Sequence, residues 1–288
     1  MLLSSQSILG YGAESSWGEG APASLWLPVT SLTATDEVKY QSISNTTSIT
    51  STLLNTPIYS GGKVTCAHFA TVPTVLDELR AMFGTESVNG NVHTFGMADV
   101  PTSYSLTEFD GNTARLYTGG RLQQWTLNWD VNGGLTCQSQ WWSKMSQTTS
   151  WSGASVPIEP TPAAYDGAIS VGGVRVAGVE TGTWKFTRVM KLLHSDNIQD
   201  VIGIQPGPVV VECTLNLAIE DEGLWTDMQN GTSDSITTTF DWLSITMYSG
   251  SWEQVAMDRS GALLKQTAKL RGFYDAASEA VVSATVTE

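Results

Sequence analysis

Between residues 209 and 219 apolar and polar positions alternate, with only Val210 and Ala218 apolar on the polar side. Val209, Val211, Cys213, Leu215, Leu217 and Ile219 fall on one face, and Glu212, Thr214 and Asn216 on the other. A period of two over this length predicts a strand with one buried face. The pattern recurs at residues 121–129, where Trp125, Leu127 and Trp129 oppose Gln124, Thr126 and Asn128. Asp130-Val131-Asn132-Gly133-Gly134 has the composition of a hairpin turn, with residues 135–142 as the returning strand. Shorter runs predict strands at 25–31, 37–43, 63–72, 171–179, 183–189, 240–247, 251–257, 263–274 and 281–287. Two stretches follow helical spacing instead. Val75, Leu76, Leu79, Met82 and Phe83 form one, with Pro73 before and Gly84 after; Thr74 is its expected cap. Asp77 and Glu78 complement its positive end and are expected on its exposed face. Glu220-Asp221-Glu222 opens the other, which carries Leu224, Trp225 and Met228 and stops at Asn230-Gly231. Residues 1–24 read as an irregular arm, 44–60 and 191–208 as long polar loops, and 146–162 as a Ser/Pro-rich linker.

These elements come in the same order twice. Residues 61–85 and 207–232 each run turn, extended segment, short helix, Gly-Thr, and hairpin patterns follow at 125–142 and 252–273. Self-similarity on this scale predicts two like modules: residues 1–153 with the N-terminal arm, a linker at 154–163, and residues 164–288. The predicted fold is mainly β, each module a small β-sandwich with one short flanking helix.

Composition sharpens the picture. The apolar fraction of 41% supports a core, but charged residues are only 15%, against about 25% in ordinary soluble domains. Eleven tryptophans and abundant Ser, Thr and Gly suit sheet surfaces that are buried between subunits. The net charge is −14; the first 155 residues carry 6 basic and 11 acidic groups, the remainder 8 and 17. Both halves are acidic and no basic cluster is present, which excludes conventional nucleic-acid binding. An acidic surface is still compatible with a conduit through which DNA slides. No apolar run reaches the roughly 18 residues of a membrane helix, and residues 1–9 lack a basic signal-peptide start. A chain made and retained in the cytoplasm, with no membrane partner, is expected. Cys66, Cys137 and Cys213 lie in strand-like runs and read as buried free thiols.

Candidate chemistry is sparse. His68, His93 and His194 have no partner at metal-ligand spacing. Glu220-Asp221-Glu222 fits a helix start, and Gly61-Gly62-Lys63 lacks phosphate-loop spacing and reads as a hairpin entry. There is no Gly-x-Ser-x-Gly elbow and no Cys-x-x-Cys. Catalytic, cofactor-binding and metal-binding residues are therefore expected to be none, and no enzyme activity is expected. The tryptophans, without basic neighbours, point to core and interface packing.

Residues 10–18 (GYGAESSWG) and 25–30 (LWLPVT) resemble the opening of tail tube proteins of long-tailed, siphovirus-type bacteriophages. The resemblance continues through 61–65 (GGKVT), 104–109 (YSLTEF), 117–129 (YTGGRLQQWTLNW), 219–225 (IEDEGLW), 230–232 (NGT) and 270–274 (LRGFY). Segments 44–60 and 154–165 depart most. The resemblance implies a structural virion protein that self-assembles into rings stacked as a tube. Strands of neighbouring subunits would join into a lumenal β-barrel, through which genome and tape-measure protein pass. Tail terminator and distal tail proteins would be further partners, with DNA present only in transit. A negatively charged lumen would repel phosphates; the polar strand faces, with Gln124, Asn128, Glu212 and Asn216, are the candidates to line it. The duplicated segments 44–60 and 191–208, with Asn45, Thr46, Asn55, Asp196, Asn197 and Gln199, are expected to reach the adjacent ring. If each module is one wall segment, three chains close a pseudo-sixfold ring; six chains are the alternative. A receptor- or glycan-binding β-domain of the virion is the competing function.

Overall fold

The computed structural model describes residues 7–43, 54–150, 153, 156, 167–195, 198–218, 222–258 and 265–288. The first half contains β1 (Ile8–Ala13), β2 (Leu25–Pro28), β3 (Ser31–Ile43), β4 (Leu54–Phe69), α1 (Val72–Met82), β5 (Gly84–Asn89), β6 (Val92–Met97), β7 (Tyr104–Phe109), β8 (Ala114–Asp130), β9 (Thr136–Ser143) and β10 (Gln147–Thr149). The second contains β11 (Ala168–Val171), β12 (Val174–Arg175), β13 (Val179–Ser195), β14 (Ile198–Leu217), α2 (Glu222–Asn230), β15 (Ser233–Phe240), β16 (Leu243–Asp258), β17 (Lys265–Gly272) and β18 (Val282–Thr287). The chain is mainly β with two short helices, as its alternation predicts.

Eight antiparallel strands form one wide sheet in the order β3-β4-β9-β8-β13-β14-β17-β16. The order β3-β4-β9-β8 is thus followed by an equivalent β13-β14-β17-β16. The irregularities match too. A bulge between Leu122 and Gln124 opposite β9 has its counterpart between Trp252 and Gln254 opposite β17. Another between Tyr104 and Leu106 matches one between Asp234 and Ile236. The β3–β4 ladder breaks where Tyr40 meets Pro57, and the β13–β14 ladder where Met190 meets Pro206. Proline has no N–H to give the ladder, so each break sits where a donor is missing.

β8 and β16 are long because each serves two sheets. Their first halves pair in outer sheets, β2-β1-β7-β8-β10 and β12-β11-β15-β16-β18. The second outer sheet continues into β6 and β5 of the first half, through Ala284–Phe95 and its neighbours. The core lies between wide sheet, outer sheets and α1, and it runs unbroken across both halves. Trp125 packs on Phe186 at 5.4 Å between ring centroids, and Phe186 on Phe83 at 5.4 Å.

Several expectations change. Residues 8–13 are not irregular: β1 buries Leu9 and Tyr11 in the first outer sheet. The motif around residues 10–18 is held by Glu14, whose carboxylate accepts from Gly119 N–H (2.7 Å), Ser105 Oγ (2.8 Å) and Gly18 N–H (2.9 Å). Trp17 donates to the Gly119 carbonyl at 3.0 Å. Segments 44–60 and 191–208 are not loops where described. Leu54–Ser60 belongs to β4, and the second segment is a ladder from Met190–Pro206 to Ser195–Ile198. Strand pairing wins because both arms of each segment are long enough to satisfy each other's backbone groups. Gly61-Gly62-Lys63 lies inside β4 rather than at a hairpin entry. Helix α1 is capped by Thr71, not Thr74; Thr74 Oγ1 instead accepts from the Thr71 N–H at 3.1 Å. Residues 171–179 are not one strand but the turn joining β11 to β12 and the start of β13.

Candidate functional site

Two features of the wide sheet bear on function: a polar face and two unpaired edges. Along the strands most residues that face away from the core are Gln, Thr, Asn or charged, with Ala67, Phe69, Trp142, Val210 and Ala256 as apolar members of the same face. The four predicted lining residues share this face. Thr183 Oγ1 donates to Asn128 Oδ1 at 2.9 Å, Asn216 Nδ2 to Thr181 Oγ1 at 2.8 Å, and Thr267 Oγ1 to Asn216 Oδ1 at 2.7 Å. Gln124 reaches Thr126 at 3.4 Å. Lys269 bridges Glu212 (2.5 Å) and Glu253 (3.0 Å), and Arg271 joins Glu253 at 3.2 Å. The Glu253 carboxyl is held below the usual range by its bonds to Lys269 and Arg271. Lys63 and Lys185 stand on the same face. Its charges are of both signs, so the acidic excess of the chain is not concentrated there.

The two halves meet in this sheet at the β8–β13 ladder, from Gln124–Thr187 to Asp130–Thr181. On the core side Gly182 lies against Trp129, and a Cβ at Gly182 would overlap the indole. On the polar side the Asn128–Thr183 bond closes the seam. The sheet ends at β3 on one side and at the second half of β16 on the other; no strand among the described residues pairs along either outer edge. Such edges are templates for another chain.

Beneath α1 lies a buried ionic network. Glu78 is fully buried, not exposed as its charge suggested. Its carboxylate meets His68 Nε2 at 2.9 Å, accepts from Trp125 Nε1 at 2.7 Å and from the Tyr11 hydroxyl at 3.2 Å. His68 Nδ1 donates to the Phe69 carbonyl at 2.9 Å, so Nε2 and Glu78 share one proton. Burial opposes a charge on His68, but the adjoining Glu78 overrides it and raises the imidazole above its ordinary value. His68, Glu78 and Cys137 offer donor atoms within 4.8 Å of one another. The carboxylate is already met by three partners, so the group is satisfied as a hydrogen-bonded lock of helix to sheet. Burial pushes the Cys66 thiol up to about 12 and raises those of Cys137 and Cys213, leaving three inert, buried thiols.

Of the predicted inter-ring residues, Asn45, Thr46, Asp196 and Asn197 lie outside the described residues, and Asn55 stands in β4 opposite Ser42. Gln199 belongs to an arm, β13–β14 beyond Pro206, that lies across the first half. Its carbonyl accepts from Ser60 Oγ at 3.3 Å, Asp200 accepts from the Met145 N–H at 3.2 Å, and buried Val201 covers Gly61. Composition did not reveal this arm, although Pro57 and Pro206 occupy matching positions in the repeat. Glu78 was legible in principle: it falls three residues after Val75 and four before Met82, on the apolar stripe of α1.

A broad, edge-open β-sheet with one hydrogen-bonded polar face is the geometry of a structural protein rather than of a ligand pocket. A family model described as phage tail tube protein matches residues 4–262, and the chain belongs to that family. It is a structural component of the virion tail. No curated protein matches the chain.

Proposed function

We propose that three copies of this chain close a ring by pairing the outer edge of β16 with the outer edge of β3 of the next copy, and that stacked rings form the tail tube. The observation that carries this reading is the β8–β13 seam. β8 and β16 are equivalent strands, as are β13 and β3, so the free edges repeat the partners already joined inside the chain. Residues 1–153 and 164–288 then act as two wall segments, giving six per ring. Strand spacing supports three chains. At about 4.8 Å per strand, 24 strands make a barrel about 37 Å across, leaving about 25 Å between side chains before strand tilt widens it. Two chains would leave only about 12 Å by the same measure. Six chains would give a far wider bore.

In this reading Gln124, Asn128, Glu212 and Asn216 line the bore that genome and tape-measure protein traverse. The expected negative lumen narrows to a polar one, in which bonded amides and hydroxyls and neutralised charges leave phosphates little to hold. Asn45, Thr46, Asp196 and Asn197 remain the proposed contact to the next ring, with terminator and distal tail proteins meeting the tube ends. The register follows from Lys185–Thr126 inside the chain, whose equivalents are Thr35 and Ala256. Directly opposed residues place their Cα atoms at about 4.5–5.5 Å, within disulfide reach. Oxidised Thr35→Cys/Ala256→Cys tubes are expected to give a cross-linked ladder that ends at three chains. A ladder ending at six would replace the trimer, and no cross-link in tubes seen by negative-stain microscopy would overturn the joint.

A further inference from the structure

We propose that the open cleft at the ends of β14 and β17 is the seat of the β3–β4 arm of a second copy of this chain. The inference rests on the ring reading and names a contact that reading does not require.

The repeat supplies the template. Val64 opposes Trp141 in the first half where Cys213 opposes Leu270 in the second. Stepping four residues along each strand, Ser60 corresponds to Val209, Gly61 to Val210 and Met145 to Tyr274. Ser60, Gly61 and Met145 are covered by the second arm, through Gln199, Asp200 and Val201. Of their counterparts, Val209 and Val210 are half-buried and Tyr274 is open. Tyr274 is 61% exposed and Phe273 40%. Beside them lies a cavity of about 620 Å³ lined by Pro206, Val209, Tyr274, Val281 and Arg188, among others. Arg188 is buried and donates to the Met82 and Gly207 carbonyls at 2.8 and 3.1 Å, yet its Nε has no acceptor among the described residues. The apolar rim of the cleft suits an arriving strand, whose side chains would fill it; the Arg188 Nε itself is buried beneath that rim and out of the strand's reach.

The occupant follows from position. The second arm lies on the half that precedes it in the sheet. The β3–β4 arm leaves its sheet at the equivalent proline break and carries the exposed Tyr40. No half precedes the first within one chain. In a ring the preceding half is the second half of the neighbour, which presents the open seat. The two kinds of joint then differ in one respect: β6 pairs with β18 across the internal one, and α2 is followed directly by β15 with no equivalent hairpin to do so. The arm is therefore the main reinforcement of the joint between chains.

The test places photoreactive p-benzoylphenylalanine at Tyr274 in tubes assembled from equal parts of isotopically heavy and light chains that also carry Thr35→Cys/Ala256→Cys. Irradiation is expected to give mixed heavy–light adducts on the peptide spanning residues 40–63. Adducts elsewhere, or none, in tubes whose disulfide ladder forms would overturn the seat and leave the ring standing. Loss of the ladder together with the adduct would overturn both.

Discussion

Replacing Gly182 by alanine probes the seam on which the assembly rests. Gly182 pairs with Trp129 across the β8–β13 ladder. Its φ lies outside the left-handed region, so alanine meets no backbone penalty, only a lack of space. A Cβ there would stand 2.6 Å from the indole Cη2 and closer still to two other ring atoms. Trp129 has nowhere easy to go: it is buried and packs edge-on to Phe240 at 5.5 Å. Overpacking of this kind costs about 1–3 kcal/mol, partly offset by about 0.4–1 kcal/mol from the stiffer unfolded chain. A net loss of about 1 kcal/mol is expected in urea unfolding of unassembled protein. Trp129→Ala alone should cost about 3–5 kcal/mol through the space it leaves. In that background Gly182→Ala should cost nothing or stabilise slightly, a coupling of about 1–2 kcal/mol. Equal costs in the two backgrounds, within about 0.5 kcal/mol, would show that the glycine is not there to admit the indole.

Other consequences follow from the buried network and the arm. Glu78→Ala strands the buried Trp125 N–H and takes the partner from His68 Nε2, while Tyr11 keeps Ser139, and should cost about 3–5 kcal/mol; a loss below about 1 kcal/mol would mean that packing alone holds α1. Because the folded chain raises the His68 value, its contribution is complete below the unfolded value near 6.5 and fades as pH rises through the folded one. The urea midpoint should therefore fall above neutral pH in the native chain and much less in His68→Gln, and identical pH slopes would rule the pair out as the cause. Val201→Asp buries a charge against Gly61 and should free the second arm, seen as at least tenfold faster amide exchange over residues 198–206 with β9 unchanged. Unchanged exchange in the arm would show that Val201 does not anchor it.

The strand and helix types are legible because alternation and helical spacing report one-sided burial, and the long strands β8, β9, β14 and β17 and helix α1 each bury one side. Val211, Cys213, Leu215 and Leu217 are buried in the structure as their spacing predicts. Charge alone would put Glu78 on the surface; the helical stripe places it inward, where His68 from the preceding β4 and Trp125 and Tyr11 from distant strands meet it. The β1 strand escapes the pattern because Gly10 and Gly12 dilute it, and of its two partners β2 is only four residues long and β7 lies far along the chain. The arms were read as loops because Ser, Thr and Asn mark turns when they cluster, whereas paired backbones accept them equally well.

By itself the sequence determined the mainly β class, the duplicated order of elements, the acidic balance without a basic patch, and the resemblance to tail tube proteins. These are properties of composition and near-neighbour pattern. Only the tertiary structure decided that the two halves share one continuous sheet and core, that the outer edges of β3 and of the end of β16 meet no strand among the described residues, and that the β13–β14 arm is seated on the first half. At β4–β9 and β8–β13 strand adjacency depends on pairings between residues more than fifty positions apart, and no local period encodes which edge meets which. The repeat seen in the sequence thus acquires its meaning from the β8–β13 seam, where the chain already makes once, with itself, the joint its free edges offer to another copy.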